Sequence, residues 1–370
     1  MAIRVHSGGH SYEGQSYTVD GAVLEDGAPF VVIDLMSLNR VRVDAASATT
    51  WVECGATLSK VYYAGAASSV SSSSMANGSS SSLAFTAGLC STVSVGGHIS
   101  GSGFGLLLRK FMLTVDNKNV LDAEGRVLDQ GAMGKDLIPV PGTVMVFTLK
   151  REGSVDAIAR LVHWWPSVGP ALPDEFYLSI FLMMGGSLQE DDNVTVFPEL
   201  DLVEMELSEM SWVESAMQFA RLSSVEELTS RVSKMKYYGT NKSDYVKQPI
   251  QRDALAEILR YLSTGPVGYN VQYGITWEAG KDDGEAGMTW LRTLYEYMAL
   301  HVSYDPRATY VNYIDLDLSM EVAPATTTNA SVLAVGRARN FDRLVQAKTH
   351  IDPANVFNNA QSIPPLERHD

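Results

Sequence analysis

Gly88-Leu89-Cys90-Ser91-Thr92-Val93-Ser94-Val95-Gly96-Gly97-His98-Ile99-Ser100-Gly101-Ser102-Gly103-Phe104-Gly105 is the run around which this 370-residue chain is organised. Five glycines fall between positions 96 and 105, and a cysteine stands just ahead of them. Gly96, Gly97, Gly101, Gly103 and Gly105 remove Cβ atoms and permit positive φ, so successive N–H groups can turn toward an anion such as a pyrophosphate. In physical terms this is a cradle for a cofactor. It is not the dinucleotide fingerprint, because Leu106 stands where the third glycine of G-x-G-x-x-G belongs. Nor is it a P-loop, since Gly134-Lys135 is followed by Asp136 rather than Ser or Thr.

A second stretch, Arg4-Val5-His6-Ser7-Gly8-Gly9-His10-Ser11-Tyr12-Glu13-Gly14, again sets two glycines before a histidine in a polar, turn-like sequence. Read alone, His10 is a hydrogen-bonding histidine in a glycine turn, and Cys90 is a small buried hydrophobe. Taken together, the motif Ser7 to Gly14 and the motif Gly88 to Val93 running into Gly96-Gly97-His98 resemble the plant berberine-bridge-enzyme-like branch of the FAD-linked oxidases. The resemblance runs with gaps from the first residue to the tail Gln361-Ser362-Ile363-Pro364-Pro365-Leu366. It implies an α+β fold: a two-lobed FAD-binding PCMH-type domain, and a substrate domain whose antiparallel sheet is covered on one face by helices.

The resemblance also implies FAD bonded twice, through His10 to the 8α-methyl carbon and through Cys90 to C6. Gly8, Gly9, Gly96, Gly97, Gly101 and Gly103 would shape the binding loops, with His98 a hydrogen-bonding residue of the cradle. Val93 stands where the family controls oxygen access, and valine resembles the oxidase state. Tyr313 matches the tyrosine that takes the substrate proton, Tyr310 and Asn312 match residues that approach the flavin, and Gln272 matches a pocket position. Asn270 stands where relatives often place a charged residue that tunes the base, and Ile314 replaces an arginine common in plant relatives. Without the resemblance, 310–317 reads as a strand with aromatics on its faces.

A formal net charge of −15 repels phosphate backbones and argues against nucleic acid as a partner. No apolar run approaches the roughly 18 residues of a membrane span; the nearest is Leu178 to Met184. Two cysteines, Cys54 and Cys90, cannot build a disulfide scaffold, and no histidines stand at zinc-ligand spacing, so no metal is expected. Cys54 reads as structural, with a single Cys54–Cys90 bridge the remaining alternative. The absent Rossmann pattern disfavours an NAD-dependent dehydrogenase. The implied partners are a small-molecule substrate (an alcohol, carbohydrate or alkaloid-type donor) and molecular oxygen, acting on a monomer. Family members are secreted or cell-wall proteins, and sequons at Asn77, Asn193, Asn241 and Asn329 suit that setting, although no signal peptide precedes the first motif.

Pattern predicts a buried strand at 30–34, strands at 41–44 and 50–53, a helix opening over 57–65, and a strand, turn and strand over 119–129. The serine-rich run 68–82 cannot bury apolar surface and reads as a flexible loop. Residues 143–149 read as a strand; 154–165, 207–222, 252–262 and 287–302 have helical period; 176–184 and 269–277 are strand-like; 340–349 is a basic-faced helix. The expected domains are 1–137 for FAD, 138–304 for substrate, and 305–370 returning to the FAD domain. Against the family pattern, a strand with glycines is missing after Leu137, a pocket segment near Gly265-Pro266-Val267-Gly268, and a strand-helix-strand segment before Ser7. A second reading therefore stays open: a non-catalytic or unstable shortened member without flavin, its sheet edges uncovered.

Overall fold

A computed structural model describes residues 2–18, 29–71, 81–100, 105–107, 110–111, 120–121, 127–128, 135–147, 154–180, 207–232, 238–262, 272–277, 284–303, 307, 309–310, 312–313, 315–317, 341–359 and 362–366. In chain order the elements begin with β1 (Ala2–His6), β2 (Phe30–Asp34), β3 (Val41–Asp44), β4 (Thr49–Val52), α1 (Leu58–Ser71), β5 (Ser81–Ala84), α2 (Val95–Ser100), β6 (Val120–Leu121), β7 (Val127–Leu128), β8 (Lys135–Asp136), β9 (Ile138–Pro141) and β10 (Thr143–Phe147). They continue with α3 (Val155–Val168), β11 (Leu207–Ser211), α4 (Trp212–Phe219), β12 (Tyr238–Ser243), α5 (Arg252–Leu262), β13 (Gln272–Trp277), α6 (Glu285–Met298) and α7 (Phe341–Ile351).

The chain divides into two compact units, the first Met1–Val146, Ser208–Lys234 and Asn340–Asp370, the second Phe147–Leu207 and Met235–Arg339. The sequence reading puts 138–146 and 208–234 in the substrate domain, whereas their packing joins them to the first unit. The cause is local: β9 hydrogen-bonds antiparallel to β5, and Trp212 at the start of α4 packs on Ala84 and Val140.

In the first unit α1 supplies the core. Leu58, Val61 and Tyr62, spaced i, i+3, i+4, lie on one helix face and pack with Phe85, Ala87, Val95, Leu137 and Ala216. Gly65 lets α1 approach β5, since a Cβ there would lie 2.6 Å from the Leu83 carbonyl oxygen. Strands β3, β4 and β8 form one antiparallel sheet, and β6 pairs with β7.

Several expectations are corrected here. The polar stretch opening at Arg4 begins as a strand, β1, which pairs parallel with β2 from Ala2↔Phe30 to His6↔Asp34. The apolar run of β2 is not buried: Phe30, Val31, Val32 and Ile33 are 37–41% exposed, because β2 belongs to a two-stranded sheet that no described element covers. The helix opening near 57 runs on to Ser71, and Ser81–Ser82 belong to β5, so only the middle of the serine-rich run lies outside the described residues. Residues 207–222 split into β11 and α4, because Ser211 and Glu214 form a reciprocal capping box that starts the helix there. The described part of 176–184, residues 176–180, is not a strand. Asn241 sits within β12 with its side chain across Gly274, where an added Cβ would lie 2.0 Å from Asn241 Oδ1. Its sequon is therefore in a packed strand, and the other three sequons lie outside the described residues.

The second unit is built on β12 and β13, antiparallel from Tyr238↔Trp277 to Ser243↔Gln272. Helices α3, α5 and α6 share one core with β13: Ala159, Leu255, Ala256, Ile258 and Leu259 meet Tyr273, Ile275, Leu291, Leu294 and Met298. Gly287 brings α6 onto the sheet, because a Cβ there would come within 2.9 Å of Ile275. Among the described residues no helix is long and apolar enough to cross a membrane. Leu291 has no solvent-exposed surface, so Leu291→Ala is expected to lower unfolding free energy by about 2–5 kcal/mol, read as a reduced urea midpoint at unchanged slope.

Candidate functional site

The two glycine-flanked motifs are folded against each other in the first unit. His10 Nε2 lies 2.9 Å from Thr92 Oγ1, two residues beyond Cys90. Behind this contact the Cys54 carbonyl accepts hydrogen bonds from Ser7 Oγ at 2.7 Å and from Gly96 N–H at 2.9 Å. One peptide oxygen thus holds both motifs. Glycine is needed where they touch: a Cβ on Gly8 would lie 2.7 Å from Ser94 N, and one on Gly96 would lie 2.9 Å from the Cys54 oxygen. Gly9 has φ +68°, which turns the chain toward His10 without strain.

The cysteine loop has its own frame. Leu58 N–H donates to the Val93 carbonyl at 2.9 Å, and Val95 N–H donates to the Ala56 carbonyl at 2.9 Å. Gly88 N–H donates to His98 Nε2 at 2.9 Å, and Tyr62 Oη donates to the Gly88 carbonyl at 2.6 Å. His98 therefore braces the loop that carries Cys90, while the Val93 side chain packs on the α1 core.

Both cysteines are free thiols, Cys54 half-buried and Cys90 exposed, so the Cys54–Cys90 bridge is not formed. Although His10 keeps surface toward solvent, the protein around its ring lowers its pKa by desolvation, with the Thr92 hydrogen bond pulling weakly the other way. The shift favours the neutral imidazole. Desolvation raises the Cys90 thiol above its usual value, so proximity rather than acidity must favour any bond it makes. Among the described cradle glycines, Gly97 is the one whose Cβ would meet nothing within 4 Å. Its outer side is open space, so the backbone there can be approached closely by a bound group. Gly101 and Gly103 lie outside the described residues.

In the second unit the described residues of 310–317 include a turn and no strand. Tyr313 N–H closes on the Tyr310 carbonyl at 2.8 Å, and the two rings meet edge to face at 4.8 Å and 87°. Asn312 Nδ2 donates to Tyr310 Oη at 2.8 Å. Burial pushes the Tyr310 phenol up to about 12, with the Asn312 bond opposing, so Tyr310 is a neutral hydrogen-bonding group at physiological pH. Gln272 contributes its backbone to the β12–β13 pairing, and Asn270 lies outside the described residues.

The turn is pinned to the end of β12 by residues the sequence reading passes over. Lys242 Nζ lies 2.7 Å from both Asp315 Oδ1 and Asp317 Oδ2, Ser243 Oγ accepts from Tyr310 N–H at 3.2 Å, and Arg307 grips Asp244 through two 2.6 Å hydrogen bonds. Arg307 also lies 3.4 Å from the centre of the Tyr295 ring. Burial raises the Asp244 pKa, against the pull of Arg307. The signal available was the Lys242-Ser243-Asp244 triplet, two charges in a stretch to which the sequence reading assigned no element.

Comparison with known proteins bears on this arrangement. Residues 1–131 match the family described as FAD binding domain, and residues 309–364 match the family described as Berberine and berberine like. Berberine bridge enzyme-like D-1 of Nicotiana tabacum is 39% identical, over 98% of this chain and 78% of the relative. A reticuline oxidase of Eschscholzia californica is 36% identical, over 100% of this chain and 79% of the relative. Among solved structures, berberine bridge enzyme from Eschscholzia californica is similar with a TM-score of 0.81 and 33% identity, covering 100% of this chain and 86% of that one. The grass pollen allergen Phl p 4, described as having glucose dehydrogenase activity, is similar at 0.80 and 30% identity, with the same coverage of 100% and 86%.

Two contrasts test this geometry. Gly96→Ala must displace the Cys54 carbonyl and is expected to lower the melting temperature, whereas Gly97→Ala keeps it and instead lowers the amount of cofactor that copurifies. Lys242→Met leaves the Asp315 carboxylate buried without its ammonium and is expected to cost about 3–5 kcal/mol in chemical denaturation.

Proposed function

The chain belongs to the berberine bridge enzyme-like family of FAD-binding oxidoreductases, and from that membership we propose that it oxidises an alcohol-type carbon of a small molecule, with dioxygen as the final acceptor. FAD, when bound, supplies the two-electron acceptor for the hydride. The observation that carries the reading is the 2.9 Å contact of His10 Nε2 with Thr92 Oγ1, which sets a neutral imidazole over the loop of an exposed thiol. That contact occupies Nε2 and leaves Nδ1 as the nitrogen for a bond to the flavin. His10 and Cys90 are proposed as its two tethers, Gly97 as the face against which it lies, and His98 as the brace of the cysteine loop.

Tyr313 is proposed as the group that takes the proton of the donor hydroxyl. The Tyr310 phenol cannot take that role near neutral pH, because its raised pKa keeps it protonated. It orients the turn instead, accepting from Asn312 and meeting the Tyr313 ring at its edge. The donor class is an alcohol, a carbohydrate or an alkaloid. The relatives support that range, since one is named a reticuline oxidase and another is described as having glucose dehydrogenase activity. Dioxygen as acceptor is supported by Val93, three residues beyond Cys90, which keeps the oxidase-like side chain.

Acid precipitation of the purified chain tests the tethers: yellow colour is expected to stay in the pellet, to persist in His10→Ala and in Cys90→Ala singly, and to leave it in the double variant. Tyr313→Phe is expected to keep the colour and lower peroxide release by about 10²–10⁴-fold, measured over a panel of sugars and benzylic alcohols. A colourless soluble protein would sink the reading and favour a non-catalytic family member.

A further inference from the structure

The loop after a short 3₁₀ turn, Val225–Thr229, reaches into the first unit at the point where the two motifs meet. Leu228 anchors that turn with 1% exposure, and the turn packs against α1. Arg231 follows it. Its Nη2 donates to the Ser7 carbonyl at 2.9 Å and to Ser94 Oγ at 3.3 Å, and its Nη1 donates to the Gly55 carbonyl. One guanidinium therefore joins the histidine loop, the cysteine loop and the peptide next to Cys54. Arginine suits the place because its planar fork can reach three acceptors at fixed angles, which an ammonium cannot.

The two loops do not depend on Arg231 equally. The cysteine loop is also held by the Thr57↔Ser94 bridge and by the Leu58, Val95 and Gly96 amide bonds. The chain from Ser7 to His10 crosses two glycines, one at positive φ, and beyond Arg231 its ties among the described residues are the Ser7–Cys54 and His10–Thr92 hydrogen bonds. We propose that Arg231 is a positioning residue for cofactor attachment, setting the histidine loop so that His10 reaches the flavin while Cys90 is bonded to the same ring.

The inference rests on the reading of His10 and Cys90 as tethers. The two carbons concerned, C6 and the one bearing the 8α-methyl, are 1,3-related on one ring, so both nucleophiles must reach within bonding approach of a rigid template. In the histidine bond, a C–N bond forms, one hydrogen leaves the methyl and one leaves the imidazole nitrogen, and dioxygen takes up these two hydrogens as peroxide. In the cysteine bond, a C–S bond forms, one hydrogen leaves the ring and one leaves the thiol, again to dioxygen. A displacement of about 1 Å in such a step costs on the order of 10²-fold in rate. Loss of Arg231 should place that cost on the histidine side.

The test is peptide mass mapping of flavin on the full-length wild type, Arg231→Ala and Arg231→Lys, with melting temperatures alongside. The wild type is expected to carry flavin on both residues. The variants are expected to keep flavin on Cys90, with modification of His10 slowed by about 10–100-fold. Guanidinium ion added to Arg231→Ala, far below denaturing concentrations, is expected to restore it. Equal modification of His10 in wild type and both variants overturns the proposal. So does parallel loss at both residues in step with melting temperature, since Arg231 would then serve the fold alone. A wild type without flavin overturns the functional reading itself, an outcome distinct from a wild type that is modified and variants that match it.

Discussion

The carbonyl oxygens of Cys54 and Gly55 are the point on which the first unit turns. Ser7 Oγ and Gly96 N–H converge on one, and Arg231 and Ser94 Oγ converge on the other. Buried peptide oxygens need partners, and here those partners come from distant parts of the chain. Satisfying two acceptors therefore assembles the candidate cofactor site. It also dictates where side chains must be absent, because Gly8 and Gly96 lie too close to neighbouring backbone for a Cβ. Gly55 is constrained in the same way, with the Leu35 oxygen 2.0 Å from where its Cβ would stand.

The second unit solves a related problem with charge. The end of β12 holds a turn bearing two tyrosines through Lys242, Ser243 and Asp244. Their partners Asp315, Arg307 and Tyr310 are buried or half-buried, so the ion pairs sit where screening by water is weak and an unmatched partner is costly. Tyr295 lies beneath both cations, 4.9 Å from Lys242 Nζ and 3.4 Å from Arg307. This arrangement gives the aromatic turn a defined shape, as the role proposed for Tyr313 would require.

Periodicity was most informative where an element's own burial decides it. The apolar stripe of α5 and the alternation of β3 and β4 reappear in the structure nearly residue for residue. It misled where neighbours decide. The run Phe30–Asp34 has the composition of a buried strand, yet pairing with β1 alone leaves it exposed. The stretch from Leu207 has helical period, yet the Ser211–Glu214 box delays the helix and frees β11 to pair with β10.

Local pattern alone marked the two glycine-flanked motifs, because turn-forming glycines cluster within short windows, and the resemblance those motifs carry implied the roles of His10, Cys90, His98 and Tyr313. Tertiary packing alone brought Arg231 to Ser7 and Lys242 to Asp315, and where a strand was expected Tyr313 N–H closes a turn on the Tyr310 carbonyl. The physical reason is reach. A glycine acts through its own φ and its adjacent peptide, so its meaning is readable in place, whereas a guanidinium or ammonium acts on whatever acceptors the fold delivers, and those lie 73 to 224 positions away in the chain.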